Sequence, residues 1–282
     1  MVAPLMTIAY PAPFYGLKQW CTWRLEYKPG AVKATKVPYD CKTGFKASST
    51  DQSTLSDYSD AVTAMATGTY NGVGFFFSET DNYFLIDLDG CIDSETGALS
   101  DEAKAITGMF PGAAWEYSQS GEGIHIVGQC DVATLGPRRN KIAGWIEFYT
   151  HSRFVAMGPH GWQGNASIDW TNVIAMIIPQ RPEGESEDVV IAERDPRWNG
   201  PEDDEVLIAK MLSAIGGTKA KLGTGPTNRQ LWDAEPGALS KFYPRHGGND
   251  YDASQADQAL MNVLAFWTGK DHVRMIRLFS RI

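Results

Sequence analysis

Cysteine is scarce. Cys21, Cys41, Cys91 and Cys130 are the only four in 282 residues, and they are scattered without close pairs. That spacing offers neither a zinc site nor a disulfide framework, and it reads as free thiols in a reducing cytoplasm. Long apolar runs are missing too: none approaches the ~20 residues of a membrane span. The stretch Met1 to Gly16 has prolines and no basic cluster ahead of an apolar core, so it is not a secretory leader. Positive charge is short as well, with 25 Lys and Arg against 34 Asp and Glu and a net charge of −9. That balance excludes bulk electrostatic binding of nucleic acid but leaves room for a local basic groove. Internal repeats and low-complexity tracts are absent. What remains is 43% hydrophobic with a mean hydropathy of −0.28, a soluble globular composition. The length suits one large domain or two modest ones.

The chain is organised around Tyr83-Phe84-Leu85-Ile86-Asp87-Leu88-Asp89-Gly90. Its apolar, aromatic and β-branched run predicts a buried strand. Residues i and i+2 of a strand share a face, so Asp87 and Asp89 project side by side where it ends. Two anions that close call for a cation, and Mg²⁺ or Mn²⁺ favours oxygen ligands. A plain Asp-Gly turn is the alternative.

Other strands are expected at 19–25, 36–39, 72–77, 115–118, 124–128, 144–149 and 153–157. The patterns at 72–77 and 83–89 read together as an antiparallel hairpin, as do 115–118 with 124–128 and 144–149 with 153–157. Glu147 lies at mid-strand between aromatics, an unusual place for a carboxylate without a partner. A surface pair with Arg153 across the hairpin is one explanation. Short helices are expected from Ser56 or Asp57 to about Gly68 and from Ser100 to about Phe110.

Between 179 and 204 the composition turns to Pro, Gly, Glu and Asp, as in a linker or a loosely draped segment. Helical periodicity follows at 205–215, 254–267 and 271–282, where Met275, Leu278, Phe279 and Ile282 recur on one stripe. The last helix has no stop signal, and 205–282 reads as a helical domain truncated at its C-terminus. Residues 1–178 read as the catalytic domain.

Three motifs carry chemistry. The first is Asp87-Leu88-Asp89. In Ser118-Gln119-Ser120-Gly121-Glu122-Gly123-Ile124-His125, two glycines let backbone N–H groups, the Ser120 hydroxyl and His125 approach an anion; a simple hairpin turn is the alternative. The third is Ile146-Glu147-Phe148-Tyr149 followed by Arg153. Three carboxylates can hold two divalent metals, and a Gly/Ser/His turn with an Arg can hold a triphosphate, which is the equipment of in-line phosphoryl transfer.

In type and order these motifs resemble the primase–polymerase domain of the archaeo-eukaryotic primase superfamily, in the branch carried by phages and plasmids. Lys36-Val37-Pro38-Tyr39, Thr43-Gly44, Ala47 and Ser49-Thr50-Asp51 are similar to that branch before the first motif. Asp252 to Asp257 with Leu264 to Gly269 resemble the helical segment behind the catalytic domain. Gln119 departs from the Pro of many relatives, and after Arg153 the chain runs Ala156-Met157-Gly158 where relatives tend to carry Thr before that Gly. The resemblance implies an α+β fold: an antiparallel or mixed sheet, RRM-like, with flanking helices and a small helical domain after it. It implies template-directed nucleotidyl transfer on single-stranded DNA, as primase or primer-extending polymerase in phage or plasmid replication, in the host bacterial cytoplasm. Asp87, Asp89 and Glu147 would ligate two Mg²⁺ or Mn²⁺ ions, with no zinc. Ser120, Gly121, Gly123 and His125 would hold the phosphates of an NTP or dNTP. Arg153 and Lys36 are candidates for nucleotide or template, and Arg138, Arg139 and Lys141 for template. A helicase module is a candidate partner, in the full-length protein or in trans; the chain itself carries no P-loop.

Two rival readings fit parts of the sequence. Ile86-Asp87-Leu88-Asp89-Gly90 also fits a haloacid-dehalogenase-type phosphatase with Asp87 as nucleophile. Cys91 then replaces an expected Thr, and hairpins stand where βα units are needed. The other is a catalytically inactive single-strand-binding relative.

Overall fold

A computed structural model describes residues 9–27, 30, 33–186, 194–245 and 251–282. Among these the fold is α+β, with antiparallel sheets and a C-terminal helical region. Of the described residues, those within 1–100, 110–171 and 180–188 form one compact unit, and those within 101–109, 172–179 and 189–282 form another.

The first unit holds two sheets. One has the order β2-β1-β3-β9, from β1 (Trp20–Glu26), β2 (Thr35–Tyr39), β3 (Gly72–Phe77) and β9 (Arg153–Ala156). The other has the order β5-β6-β4-β8-β7, from β4 (Tyr83–Leu88), β5 (Ala114–Tyr117), β6 (Ile124–Gln129), β7 (Lys141–Ala143) and β8 (Ile146–Tyr149). Every paired neighbour is antiparallel. The strand that carries Asp87 is central in its sheet, and all six of its residues are buried. That is why it reads as a nearly unbroken apolar run rather than an alternating one. Helices α1 (Tyr58–Met65) and α3 (Val132–Leu135) belong to this unit.

One core joins the sheets. Trp20, Phe75, Phe77 and Val155 of the first sheet and Tyr83, Leu85 and Val127 of the second share a buried cluster with Phe14. Phe14 stacks on Phe75 with ring centroids 4.2 Å apart and meets Tyr83 edge-on at 5.0 Å. Tyr83, Leu85 and Asp87 share one face of β4, so Asp87 points into the layer between the sheets.

Of the three hairpins expected, β5–β6 forms. The other two do not. β3 pairs with β1 and β9, whereas β4 pairs with β6 and β8. The connection 78–82 carries the chain from one sheet to the other; the Asp81 side chain accepts from Ser78 N, Tyr83 N and Gln19 Nε2 and holds that crossing. β8 and β9 are likewise separated, with Ser152 at φ 53° in the bend. Both β3 and β4 are buried on both faces, and each takes a neighbour on either side, which a two-stranded hairpin cannot supply.

The second unit contains α2 (Asp101–Gly108), α4 (Thr171–Ile177, apart from its first residue), α5 (Asp204–Ser213), α6 (Thr218–Lys221), α7 (Asn228–Trp232), α8 (Pro236–Phe242), α9 (Ala253–Thr268) and α10 (His272–Phe279). Leu207, Met211, Leu231, Leu239, Leu260, Leu264, Met275 and Leu278 form its core. Asp203, Asp252 and Asp271 cap α5, α9 and α10 through their side chains, and Thr227 with Gln230 forms a capping box on α7. α10 ends at Phe279, so Ile282 of the expected stripe lies outside the helix and is exposed. Within the acidic Pro/Gly stretch, residues 187–193 lie outside the described residues. Trp198 of the same stretch packs on the helical core and donates to the Trp267 carbonyl at 3.1 Å. Among the described residues, no helix is long and apolar enough to cross a membrane.

Candidate active site

The register of the second sheet sets polar side chains in one row. Glu116 of β5 lies opposite His125 of β6, His125 opposite Asp87 of β4, Asp87 opposite Glu147 of β8, and Glu147 opposite Lys141 of β7. Directly opposed residues share a face, so the row projects on the side that carries Leu85 into the core. Two carboxylates, Asp87 and Glu147, are immediate cross-strand neighbours, an unfavourable like-charge pair on its own.

The first sheet answers with cations. Arg153 of β9 reaches Glu147 Oε2 at 2.7 Å and Asp87 Oδ2 at 3.4 Å, and its guanidinium lies over the Tyr149 ring. The Tyr149 hydroxyl donates to the same Glu147 oxygen at 2.9 Å. The Glu147–Arg153 pair expected on a hairpin surface is thus a bridge between two sheets. Lys36 of β2 is half-buried, within electrostatic reach of Asp87, Asp89 and Glu116; burial lowers its pKa against the pull of those anions.

Asp89 continues β4 beyond its last residue, with its N–H on the Trp145 carbonyl at 2.9 Å. Although the residue is exposed, local desolvation and then the charges of Asp87 and Glu147 raise its pKa. The Ser/Gly turn lies against this same strand end. A Cβ on Gly123 would meet the Leu88 carbonyl at 2.5 Å and Asp89 Cα at 3.4 Å, so glycine there permits the close approach. Ser120 Oγ lies 3.1 Å from Ser118 Oγ, and Gly121 takes φ +76°.

His125 is buried between two carboxylates. Its Nδ1 lies 2.9 Å from Glu116 Oε1, and its Nε2 lies 3.6 Å from Asp87 Oδ1. Burial alone would lower the imidazole pKa; the hydrogen bond to Glu116 and the charges of Asp87 and Glu116 outweigh it, and the net direction is up. Glu116 is itself 1% exposed, and its other oxygen accepts the Gly158 N–H at 2.8 Å.

The expected template residues are dispersed. Lys141 stands at the end of the acidic row, and Arg139 pairs with Glu185 at 2.5 Å. Arg138 lines a cleft of about 350 Å³ with Asn140, Phe148, Thr150, His151 and Arg181. Phe148 is on the face of β8 away from Glu147, so Arg138 and Lys141 are not gathered on one surface.

Sequence reasoning gave no site role to Glu116 or Gly158, and named Tyr149 only within the third motif. The signal for Glu116 was present: like Glu147, it is a mid-strand carboxylate flanked by aromatics, Trp115 and Tyr117.

The donor chemistry suits a hard divalent cation. Asp87 Oδ1 is buried with no hydrogen-bond partner, and three carboxylates crowd one strand end. Among the described residues no three His, Cys, Asp or Glu side chains are already gathered as a metal site. Arg153 lies on the outer oxygens of Asp87 and Glu147, and holding a cation would draw those oxygens from the guanidinium.

Residues 253–281 match the family model described as the NrS-1 polymerase HBD domain. Over 267 residues the chain is 25% identical to the DNA primase-polymerase of Nitratiruptor phage NrS-1, covering 93% of this chain and 32% of that protein. The chain thus spans about a third of the length of the curated relative it matches. Both matches fall where the three motifs and the helical segment pointed, and over most of its length the chain is similar to a phage primase–polymerase.

Proposed function

We propose that this chain catalyses template-directed nucleotidyl transfer, making or extending a nucleic-acid strand on single-stranded DNA. The observation that carries the reading is the opposition of charge across the sheet gap: Asp87, Glu147 and Glu116 on one sheet, Arg153 and Lys36 on the other. The relative's name, a DNA primase-polymerase, supports the same reaction class.

Asp87, Asp89 and Glu147 would hold Mg²⁺ or Mn²⁺, which supplies charge neutralisation and orients phosphate oxygens for in-line displacement. The turn residues Ser120, Gly121 and Gly123 offer a hydroxyl and backbone N–H groups to a triphosphate at the same strand end. His125 offers Nε2 from the floor of the site. Arg153 and Lys36 face the carboxylates from the other sheet and neutralise charge at the position where the phosphates would lie. Template contact draws on Lys141 and Arg138.

The phosphatase reading gains nothing from the fold. β4 has antiparallel neighbours on both sides, rather than the parallel βα units that reading needs. The test is incubation of the chain with single-stranded DNA, labelled nucleotides and Mg²⁺ or Mn²⁺, with and without a primer. Template-dependent product that disappears in Asp87→Asn supports the proposal. Phosphate release from small phosphoesters without strand synthesis, or a beryllofluoride adduct on Asp87, overturns it.

A further inference from the structure

The Glu116 carboxylate has no place in the three motifs, yet it is among the most deeply built groups at the site. Its side chain is fully buried, at 0% exposure, on a strand whose neighbouring positions are aromatic. A buried carboxylate persists only with partners, and Glu116 has two: the Gly158 N–H on Oε2 at 2.8 Å and His125 Nδ1 on Oε1 at 2.9 Å. Gly158 is itself required by this contact, since a Cβ there would stand 2.8 Å from Glu116 Oε2 and 2.3 Å from the Tyr117 carbonyl. The Trp162 ring lies along the His125 ring, with centroids 6.5 Å apart and planes 25° from parallel.

We propose that Glu116 is a positioning residue: it commits His125 Nδ1–H to the protein and thereby leaves Nε2 as the one ring atom offered to the Asp87 side of the site. The backbone donor at Gly158 is fixed, so the two oxygens of Glu116 divide between an unchangeable N–H and the imidazole. Accepting from Nδ1–H sets both the ring's flip and its protonation pattern at that nitrogen. Nε2 then faces the unpartnered Asp87 Oδ1, 3.6 Å away, where an anionic ligand or its counter-ion would be met. The consequence for a nucleotide rests on the proposed function; the ring geometry does not.

The experiment uses the full chain with ¹⁵N-labelled histidine. Ring NMR of the wild type is expected to show a protonated Nδ1 at His125. In Glu116→Gln the amide oxygen must stay with the Gly158 N–H, so the amide NH₂ faces Nδ1 and converts it to an acceptor. The ring signature is expected to switch to an unprotonated Nδ1, with the proton on Nε2. With Mg²⁺ and a nucleoside triphosphate, the variant is expected to raise the nucleotide KM by about three- to tenfold, with a smaller change in kcat. In a His125→Ala background the same substitution is expected to add nothing, because Glu116 acts through His125. An unprotonated Nδ1 in the wild type overturns the proposal even if the variant fails to fold. So does an unmoved ring signature in Glu116→Gln, or an equal loss in the His125→Ala background. A chain that shows the expected ring signatures yet binds no nucleotide refutes the proposed function and leaves the Glu116–His125 unit standing.

Discussion

The two sheets of the first unit have the same antiparallel build and share one core, but they bring opposite charge to the layer between them. The β4 sheet places Glu116, Asp87 and Glu147 in a row, fixed by strand register, with His125 between Glu116 and Asp87 and Lys141 at its end. The β1 sheet sends in two long side chains, Lys36 from β2 and Arg153 from β9. Asp87 is a short side chain on the central strand with a neighbour on either side, and Glu116 is buried and held by Gly158 N–H and His125. Lys and Arg arrive on flexible stems whose charged ends can move by ångströms at low cost. A site built this way keeps its anions still and lets its cations adjust, which suits a place where incoming positive and negative groups must exchange partners.

The strongest way to break that contrast is to remove an anion. Asp89→Asn is expected to abolish turnover at saturating nucleotide, because it deletes a carboxylate from a cluster of three. The folded protein is expected to lose no stability without metal, since desolvation and then the charges of Asp87 and Glu147 already raise the Asp89 pKa. Primer-extension assays beside thermal melting check both halves, and retained activity would remove Asp89 from the site.

Next in size is the base in the anionic row. His125→Ala is expected to weaken nucleotide binding about ten- to a hundredfold, the loss of one charge-assisted contact of about 1.5–3 kcal/mol. Calorimetric titration with Mg²⁺ alone is expected to change little. The raised His125 pKa also fixes a sign. The imidazolium's contribution to stability is complete below the unfolded value near 6.5 and is lost as pH rises through the higher folded value. Nucleotide affinity falls over the same upper window. Both limbs should flatten in His125→Ala, measured by melting and by binding against pH.

A cation-side change is smaller and opposite in sense for metal. Arg153→Ala leaves Asp87 and Glu147 opposed without their guanidinium. Melting without divalent ions is expected to drop by the equivalent of about 1 kcal/mol, as for a partly exposed pair. Mg²⁺ is then expected to stabilise the variant more than the wild type, because the competing cation has gone. Equal metal-induced shifts in the two proteins would show that Arg153 does not compete for those oxygens.

What was legible in the sequence follows from what is local. The run from Tyr83 to Asp89 showed a buried strand ending in two carboxylates, and the Gly-containing turn before His125 showed the β5–β6 hairpin. The helices expected at 205–215, 254–267 and 271–282 formed within three residues of those bounds, because helical periodicity is carried by near neighbours in the chain. Sheet membership was not. The connections after Phe77 and after Tyr149 have hairpin-like lengths, and nothing within them says that each crosses to the other sheet. The candidate residues themselves were visible as motifs. Their arrangement in one row, and the place of Glu116 in it, required the register of three strand pairs at once. Likewise Glu102 of α2 pairs with Arg277 of α10 at 2.9 Å, a contact between positions far apart in sequence that composition cannot announce.

The smallest expected effect separates the two ends of the basic segment 138–141. Lys141 stands opposite Glu147 on the face of the acidic row, where a template strand would meet the site; Arg139 lies mostly buried against Glu185. A guanidinium that holds a carboxylate must give up that contact before it can hold a template phosphate, so its net contribution to binding is reduced by whatever the internal pair is worth. Lys141→Ala is therefore expected to weaken single-stranded DNA binding and to lower the slope of log affinity against log salt by about 0.7, the release of one counterion from a single strand. Arg139→Ala is expected to change affinity less than about twofold and leave that slope unmoved. Fluorescence anisotropy with a labelled oligonucleotide across a salt series measures both. A slope change of about 0.7 in Arg139→Ala instead would mean that the Glu185 pair opens on the template, and would give Arg139 the template role.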